Sequence, residues 1–348
     1  MMYFLRFLLI SFCLSLMAAC DSDPGARQAK FYAFGTEIDV SLYGVSEETA
    51  NSTIAALEAS FSDVDDTWHA WRPSTLTDIN QAISNSTPII VSSDVAELIA
   101  LAKILAHSSE HLFNPAAGEL FELWGFYQDD WFTSRPPPTL NQINDWLLKA
   151  PTMEAIKFDN GHLTSDNNAV KLGFGGFAKG FAVDQAIMAL QNQSIQNALV
   201  NIGGDLRAIG QHGGRPWVIG VRHPRQDGML ATIAIQGDES VFTSGDYERF
   251  FEYQGQRYPH ILDPRSGWPA NQATSVTVLH DNAAIADAAA TALFVAGKDW
   301  PRIAIAMGIK HVMLVRPDGE TEISPDMLER VAFINHDAPA IVRPLDLP

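Results

Sequence analysis

The sequence predicts an α+β protein in which antiparallel sheets are flanked by helices. Three observations lead there. "PWVIGVRHP" (Pro216–Pro224), "MLATIAIQ" (Met229–Gln236) and "SVFTSG" (Ser240–Gly245) are short apolar runs at close spacing with turns between them. They read as an antiparallel meander with no room for crossover helices. Ala50, Ile54, Leu57, Phe61 and Val64 recur at spacings of four and three, which is one face of a helix. "NAAIADAAATALFVAG" (Asn282–Gly297) reads as a small-residue helix stopped by a glycine.

The remaining elements follow in chain order. Arg6 and the apolar stretch Phe7–Ala19 form a basic start and a hydrophobic core too short to span a bilayer. The stretch ends in "LMAAC", with Ala18 and Ala19 directly before Cys20. This resembles a bacterial lipoprotein cleavage site, although Met17 stands where leucine is more usual. A plain secretory signal is the alternative. Residues 1–19 are therefore expected as a leader, 20–30 as a polar tether and 31–335 as the globular domain. Asp21 resembles an inner-membrane retention signal, placing a lipid-anchored protein on the periplasmic face of the inner membrane. Cys13 lies within the leader, so the mature chain keeps only Cys20 for lipidation; disulfide, thiolate-metal and cysteine-nucleophile chemistry are excluded.

Further along, "EIDVSLYG" (Glu37–Gly44) alternates as a half-buried strand does. A helix is expected from about Asp94 to His107, capped by Ser92 or Ser93. "SRPPPTL" (Ser134–Leu140) is a stiff loop, because three prolines suit neither helix nor central strand. Pro301–Gly308 reads as a final helix and "KHVMLVRPDGETEI" as a hairpin.

The 348 residues, 47% hydrophobic and 18% charged, describe a globular chain with material for a sizeable core. A net charge of −18 argues against nucleic acid, whose phosphates require clustered Lys and Arg. An anionic ligand would need a metal ion or a placed lysine to offset local repulsion.

Such a ligand is suggested by "KLGFGGFAKGFAVD" (Lys171–Asp184). Gly173-x-Gly175-x-x-Ala178 fits a relaxed dinucleotide fingerprint, followed by a helical stretch (Phe181–Gln191) and an apolar run (Ala198–Ile202). A Rossmann unit and a phosphate-binding turn outside any such unit both fit. The strands that follow "GGD" in succession weigh against the first, and so does the weakness of a lone fingerprint. Lys179 precedes Gly180, so the stretch is not a Walker A loop.

Other residues carry two readings each. Asp287 and Thr291 stand four apart amid alanines: one helix face offering hard oxygen ligands to a cation, or a helix-start carboxylate and a back-bonding hydroxyl. His260 is a catalytic or a structural histidine. Lys179 is a phosphate ligand or a solvated first-turn lysine. Trp71 and Trp124 stack on a planar ring or fill core.

Taken in order, seven stretches resemble the ApbE family, the Mg²⁺-dependent FAD:protein FMN transferases. They are "FGTEIDV", "WRPSTLTDIN", "AAGELFELWGF", "GGFAKGFAVD", "VNIGGDL", "HILDPRSGWP" and "ADAAATALFVAG", and the resemblance runs from about Phe31 to Gly319. It implies two related lobes of T-fold-like type with the ligand between them. It implies Mg²⁺ held by Asp287, Thr291 and the carbonyl of Gly176, with Lys179 on the ligand and His260 at the reaction centre. Phe34, Trp71, Asn80, Ala117, Gly118, Glu119, Gly173 and Leu262 would contact FAD. Two departures stand out: Phe34 replaces a methionine, and Gly173 an aspartate associated with FAD binding.

The activity implied is transfer of FMN from FAD to a Ser or Thr hydroxyl of an acceptor flavoprotein, a membrane electron-transfer subunit by family expectation, with release of AMP. His260 and Asp287 both remain open as the group that takes the hydroxyl proton. The rival readings are an FAD pyrophosphatase using water at the same site, a periplasmic flavin-binding lipoprotein without catalysis, and a Rossmann oxidoreductase with NAD(P)-dependent hydride transfer.

Overall fold

The computed structural model describes residues 25–334 and 340–345; the leader (1–19) and Cys20 lie outside them. Strand β1 (Ala26–Ala33) pairs antiparallel with β2 (Thr36–Tyr43), in register from Ala26↔Tyr43 to Ala33↔Thr36. Residues 26–30, expected in the tether, are therefore sheet. Helix α1 (Glu47–Trp68) is capped by Ser46, whose side chain accepts from the Thr49 amide, and buries Ala50, Leu57 and Phe61. Helix α2 (Thr75–Ser84) starts in a reciprocal capping box between Ser74 and Thr77. Helix α3 (Ser93–Ser108) is capped by Ser92.

A short helix α4 (Gly118–Leu123) follows, then the proline loop and α5 (Leu140–Lys149). Strands β3 (Ile89–Ile90), β4 (Ile156–Asp159) and β5 (His162–Ser165) make a small sheet of their own. Helix α6 (Ala178–Asn192) leads into β6 (Ala198–Ile202) and β7 (Asp205–Ile209), joined through the glycine pair Gly203–Gly204. Both β2 and β7 flank β6 antiparallel, so the glycine cluster belongs to no parallel βαβ unit.

The expected meander is divided between two sheets. Strands β8 (Val218–Arg222) and β9 (Met229–Ala234) pair antiparallel and join a three-stranded sheet with β18 (Val331–Phe333). Strand β10 (Asp238–Gly245) instead lies between β7 and β15 (Ser275–His280). The reason is apolar content on both of its faces: Phe242 enters one core cluster and Val241 another, which suits a central strand and not a hairpin edge.

The main sheet runs β1-β2-β6-β7-β10-β15-β16-β17-β19, with β16 (His311–Val315), β17 (Thr321–Ile323) and β19 (Ala340–Val342) closing it. Its last pair, β17 with β19, is parallel, so the domain continues past residue 335. The nine-stranded sheet is continuous across the β7–β10 pairing.

Helix α7 (Ala283–Ala296) buries nearly all of its residues, eight of them alanine, so α6 can approach closely. Its first, buried amides are satisfied from α6: the Asp184 carboxylate accepts from Ala283 N (2.9 Å) and Ala284 N (2.9 Å) while pairing with Arg207. Asn282 caps the next amide, Ile285 N, at 2.8 Å. Helix α8 (Trp300–Met307) packs beside α7. A third apolar cluster, with Trp124, Phe126, Trp146, Phe251, Tyr258 and Leu262, builds a side layer from α4, α5, β11 (Phe250–Tyr253), β12 (Gln256–Pro259) and the paired strands β13 (Leu262–Asp263) and β14 (Trp268–Pro269). That layer carries His260 towards the α6–α7 pair.

Candidate functional site

The first turn of α6 presents Lys179 to carboxylates from three other segments. Its ammonium pairs with Asp205, the first residue of β7, whose other oxygen accepts from Thr243 N at 2.8 Å. Asp287 on α7 accepts from Gly180 N at 3.0 Å, so a backbone amide of α6 fixes it beside the lysine. Glu248, just after β10, is the third; it stays exposed at the rim while Lys179, Asp205 and Asp287 act on it electrostatically.

The charge balance decides what this arrangement accepts. Burial opposes the charge on Lys179, but Asp205, then Asp287 and Glu248, overcome it and hold the ammonium well above its ordinary range. Burial raises Asp287 above the ordinary carboxylate range, with Asp205 adding to the rise and Lys179 opposing it. Three carboxylates against one ammonium leave an excess of two negative charges when all are ionised.

Thr291 lies one helical turn from Asp287 on the same face of α7. Its Oγ1 and the Ser244 Oγ share a hydrogen bond of 3.3 Å. The backbone of Gly176 comes so near that a Cβ there would stand 3.1 Å from Thr291 Oγ1. Asp287, Thr291 and Gly176, separated by 111 or more positions in sequence between the glycine turn and α7, are thus gathered at one place. The Asp287 carboxylate, the Thr291 hydroxyl and the Gly176 carbonyl would make an all-oxygen donor set beside two further carboxylates, Asp205 and Glu248, and that chemistry fits Mg²⁺.

His260 follows β12. Its Nδ1 lies 3.1 Å from the carbonyl oxygen of Arg249. A carbonyl only accepts, so neutral His260 carries its proton on Nδ1 and leaves Nε2 as a lone pair. Burial first, and the Arg249 and Lys179 cations next, push His260 down to about 3, so it is neutral at physiological pH. Arg249 donates to the Phe126 carbonyl at 3.2 Å and lies 4.9 Å from the centre of the Trp131 ring, yet its Nε is sealed without a hydrogen-bond partner.

The aromatic wall is built from Trp71, Tyr127 and Phe121. Tyr127 stacks on Trp71 (5.7 Å, 26°) and on Phe121 (5.6 Å, 18°). Trp71 is tethered by its Nε1, which donates to Asp129 at 3.1 Å. Trp124 belongs to the side-layer core, donating to the Gly267 carbonyl at 2.9 Å.

Other expected residues hold the frame. Asn80 exchanges two hydrogen bonds with the backbone of Leu172, accepting from its amide at 2.6 Å and donating to its carbonyl at 2.8 Å. Gly118 N donates to the Lys171 carbonyl at 2.8 Å, and Ala117 bridges the same residue, so the start of α4 is locked to the strand leading into the glycine turn. Glu119 pairs with Lys149 at 2.6 Å. Leu262 is buried in the side layer. Phe34 sits at the β1–β2 turn with φ 54°, its amide donating to Asp65 at 3.0 Å and its ring edge-on to Phe61; these contacts do not bring it to the Lys179 cluster.

Asp205, Ser244, Glu248, Arg249 and Tyr127 were not among the expected site residues. The aspartate of "GGD" is the readable one: a carboxylate straight after two glycines at a strand start is an unusual place for mere solvation. Tyr127 had no periodic signal at all.

The chain matches the model of the ApbE family over residues 34–313. A Rhodobacter capsulatus protein named FAD:protein FMN transferase is 38% identical over 91% of this chain, which spans 61% of that relative's length. A Haemophilus influenzae protein of the same name is 32% identical over 83% of this chain and 86% of its own. Among solved structures, the ApbE protein of Thermotoga maritima superposes with a TM-score of 0.79 at 33% identity, over 88% of this chain and 99% of its own. The flavin transferase ApbE of Vibrio cholerae gives 0.73 at 28%, with the same coverage. The family match runs from the β1–β2 turn into β16 and takes in every member of the Lys179–Asp287 cluster: the chain belongs to the ApbE family.

Proposed function

We propose that this chain transfers the FMN moiety of FAD to a Ser or Thr hydroxyl of an acceptor flavoprotein and releases AMP. The observation that carries the reading is the convergence of Asp205, Asp287 and Glu248 on Lys179, with the half-buried Thr291 hydroxyl and the backbone of Gly176 beside them. A pyrophosphate ligand would be repelled by the carboxylates alone. With a divalent cation held by Asp287, Thr291 and the Gly176 carbonyl, and with Lys179 beside it, the site becomes a place for phosphates. Mg²⁺, when bound, supplies charge neutralisation at the phosphate oxygens.

The chain's own residues do the rest. Asp205 orients the Lys179 ammonium, keeping it charged and aimed along the start of α6. Gly180 N holds the Asp287 carboxylate in place, and with Lys179 it opposes the burial that raises Asp287, so that a bound cation would keep it ionised. His260, proton on Nδ1, offers Nε2 to the acceptor hydroxyl and takes its proton as the oxygen attacks the FMN-side phosphorus; the bond to the AMP oxygen breaks in the same displacement. Its low basicity suits a loose phosphoryl-transfer process, in which proton removal comes late. The Trp71–Tyr127–Phe121 wall gives a planar ring a stacking surface, and Asn80 and Gly118 hold the glycine turn in place.

The lipoprotein-like leader supports attachment through Cys20 to the periplasmic face of the inner membrane, where a membrane electron-transfer subunit would be within reach. Among the described residues no helix is long and apolar enough to cross a membrane.

Mass spectrometry of an acceptor domain incubated with the protein, FAD and Mg²⁺ tests the reading. Added FMN mass with AMP released, both abolished by EDTA, supports it. FMN and AMP with water as the sole acceptor would replace it with a pyrophosphatase, and intact FAD with a flavin-binding protein.

A further inference from the structure

Away from the site described above, the end of α3 gathers two imidazoles and a carboxylate. His107 lies in the last turn of α3, His111 just beyond it, and Glu154 in the short 3₁₀ turn Met153–Ala155. One ligand atom from each lies within 4.8 Å of the other two. His107 and Glu154 are exposed, and His111 is half-buried.

The chain leaves α3 in a helix-end turn, His111 N donating to the Ala106 carbonyl at 2.7 Å. Glu110 and His111 both adopt left-handed backbone, φ 54° and 62°, where glycine or asparagine is the usual occupant. His111 Nδ1 is sealed from solvent without a hydrogen-bond partner. Two unfavourable features at one residue point to a role for its position. Glu154 is also split in its duties: Oε1 faces His107 Nδ1 at 3.2 Å, while Oε2 lies 3.6 Å from the Lys103 ammonium. That lysine is itself anchored, donating to the Ile156 carbonyl at 3.0 Å. One carboxylate oxygen therefore points into the cluster with its partner held outside it.

We propose that His107, His111 and Glu154 bind a divalent cation of the zinc type, in a site separate from the all-oxygen Asp287 set. Imidazole nitrogen with one carboxylate is a borderline-soft donor set, which zinc accepts and magnesium disfavours. Ligand atoms around a tetrahedral zinc lie roughly 3.4 Å apart, given bonds of about 2.1 Å. The ligand atoms lie within 4.8 Å of one another, and the exposed His107 and Glu154 are the side chains that would close that separation. A cation there clips the end of α3 to the turn before β4. The segment that follows His111 supplies Phe113, whose ring stands beside Gly176, and then Ala117 and Gly118. The clip thus steadies a strut of the glycine turn without entering the reaction.

The test uses full-length mature protein without a histidine tag, stripped with chelator and titrated with ZnCl₂ against a competing dye. One zinc per chain at micromolar or tighter affinity is expected, retained in Asp287→Asn. Affinity should fall at least about tenfold in His107→Ala and in Glu154→Gln, both at exposed positions. Zinc should raise the unfolding temperature of the parent and of Asp287→Asn, and leave that of the two cluster variants unmoved. Zinc uptake that disappears in Asp287→Asn, uptake indifferent to His107→Ala and Glu154→Gln, or no uptake at all would overturn the proposal.

Discussion

The Tyr127 hydroxyl occupies the space into which a side chain on Gly173 would begin to grow. The tyrosine is held there by stacking against both Trp71 and Phe121. The two positions are therefore coupled: glycine at 173 is the condition for the three-ring wall. Gly173→Asp should be destabilising by about 1–3 kcal/mol through overpacking, and should weaken FAD binding as Tyr127 leaves its stack. Tyr127→Ala alone should also weaken FAD binding. Combining the two should recover stability relative to Gly173→Asp, because the clash has no second partner. Urea unfolding and flavin titration of the four proteins measure the coupling; strictly additive effects would mean that the residues do not share the space.

Asp287 has two duties that one substitution separates. Its carboxylate accepts from Gly180 N and supplies charge for a cation. Asp287→Asn retains an acceptor for that amide but loses the charge, so the fold should survive while Mg²⁺-dependent turnover falls by about 10²–10³-fold. Asp287→Ala should lose the same activity and also leave the buried amide unpaired, at about 1–3 kcal/mol. Comparing unfolding midpoints with turnover for the two variants checks this; full turnover in Asp287→Asn would remove Asp287 from the cation set.

Asp184 lies outside the chemistry but joins α6 to α7. It satisfies two orphan amides at the start of α7 and pairs with Arg207, which also grips Asp238 at 2.7 and 3.0 Å. Asp184→Ala removes both amide partners and leaves a largely buried guanidinium with one carboxylate fewer. A loss of about 3–5 kcal/mol follows for breaking such a pair from one side. Denaturant unfolding should show it, and amide exchange of Ala283 and Ala284 should accelerate with it. A change below 1 kcal/mol would mean that water replaces Asp184 at the helix start.

What was legible in sequence and what was not has a physical pattern. Periodic elements were plain: α1 carries its apolar face at Ala50, Leu57 and Phe61, and α3, α7 and the β16–β17 hairpin fall where spacing and caps put them. Pairing was less so. Strand β10 resembles its neighbours in sequence, and only its double-sided burial sends it into the main sheet away from β9. Site residues in short glycine-punctuated motifs were readable because such motifs are local. Tyr127, Arg249 and Glu248 were not, since their meaning comes from what lies across the cleft: Gly173 opposite the tyrosine, and the Lys179 cluster beside the glutamate.

His260 yields a prediction in which the sign matters. Its folded pKa of about 3 lies well below the ordinary histidine value, chiefly through burial. Between about pH 6.5 and 3 the unfolded chain binds a proton at this residue that the folded chain does not. Stability from this group is therefore complete above that window and falls as the pH drops through it. One proton corresponds to a slope of about 1.4 kcal/mol per pH unit, and His260→Gln should flatten the pH dependence of unfolding by up to that amount between pH 4 and 6. Turnover should show no His260 limb near pH 6.5 in the parent, while His260→Gln should lower it at every pH by removing the Nε2 lone pair. Urea melts across this range, read beside a pH–rate profile, check both halves. An inflection near pH 6.5 that vanished in the glutamine variant would show that His260 titrates as an ordinary exposed imidazole, and that burial and the Arg249 cation do not govern it.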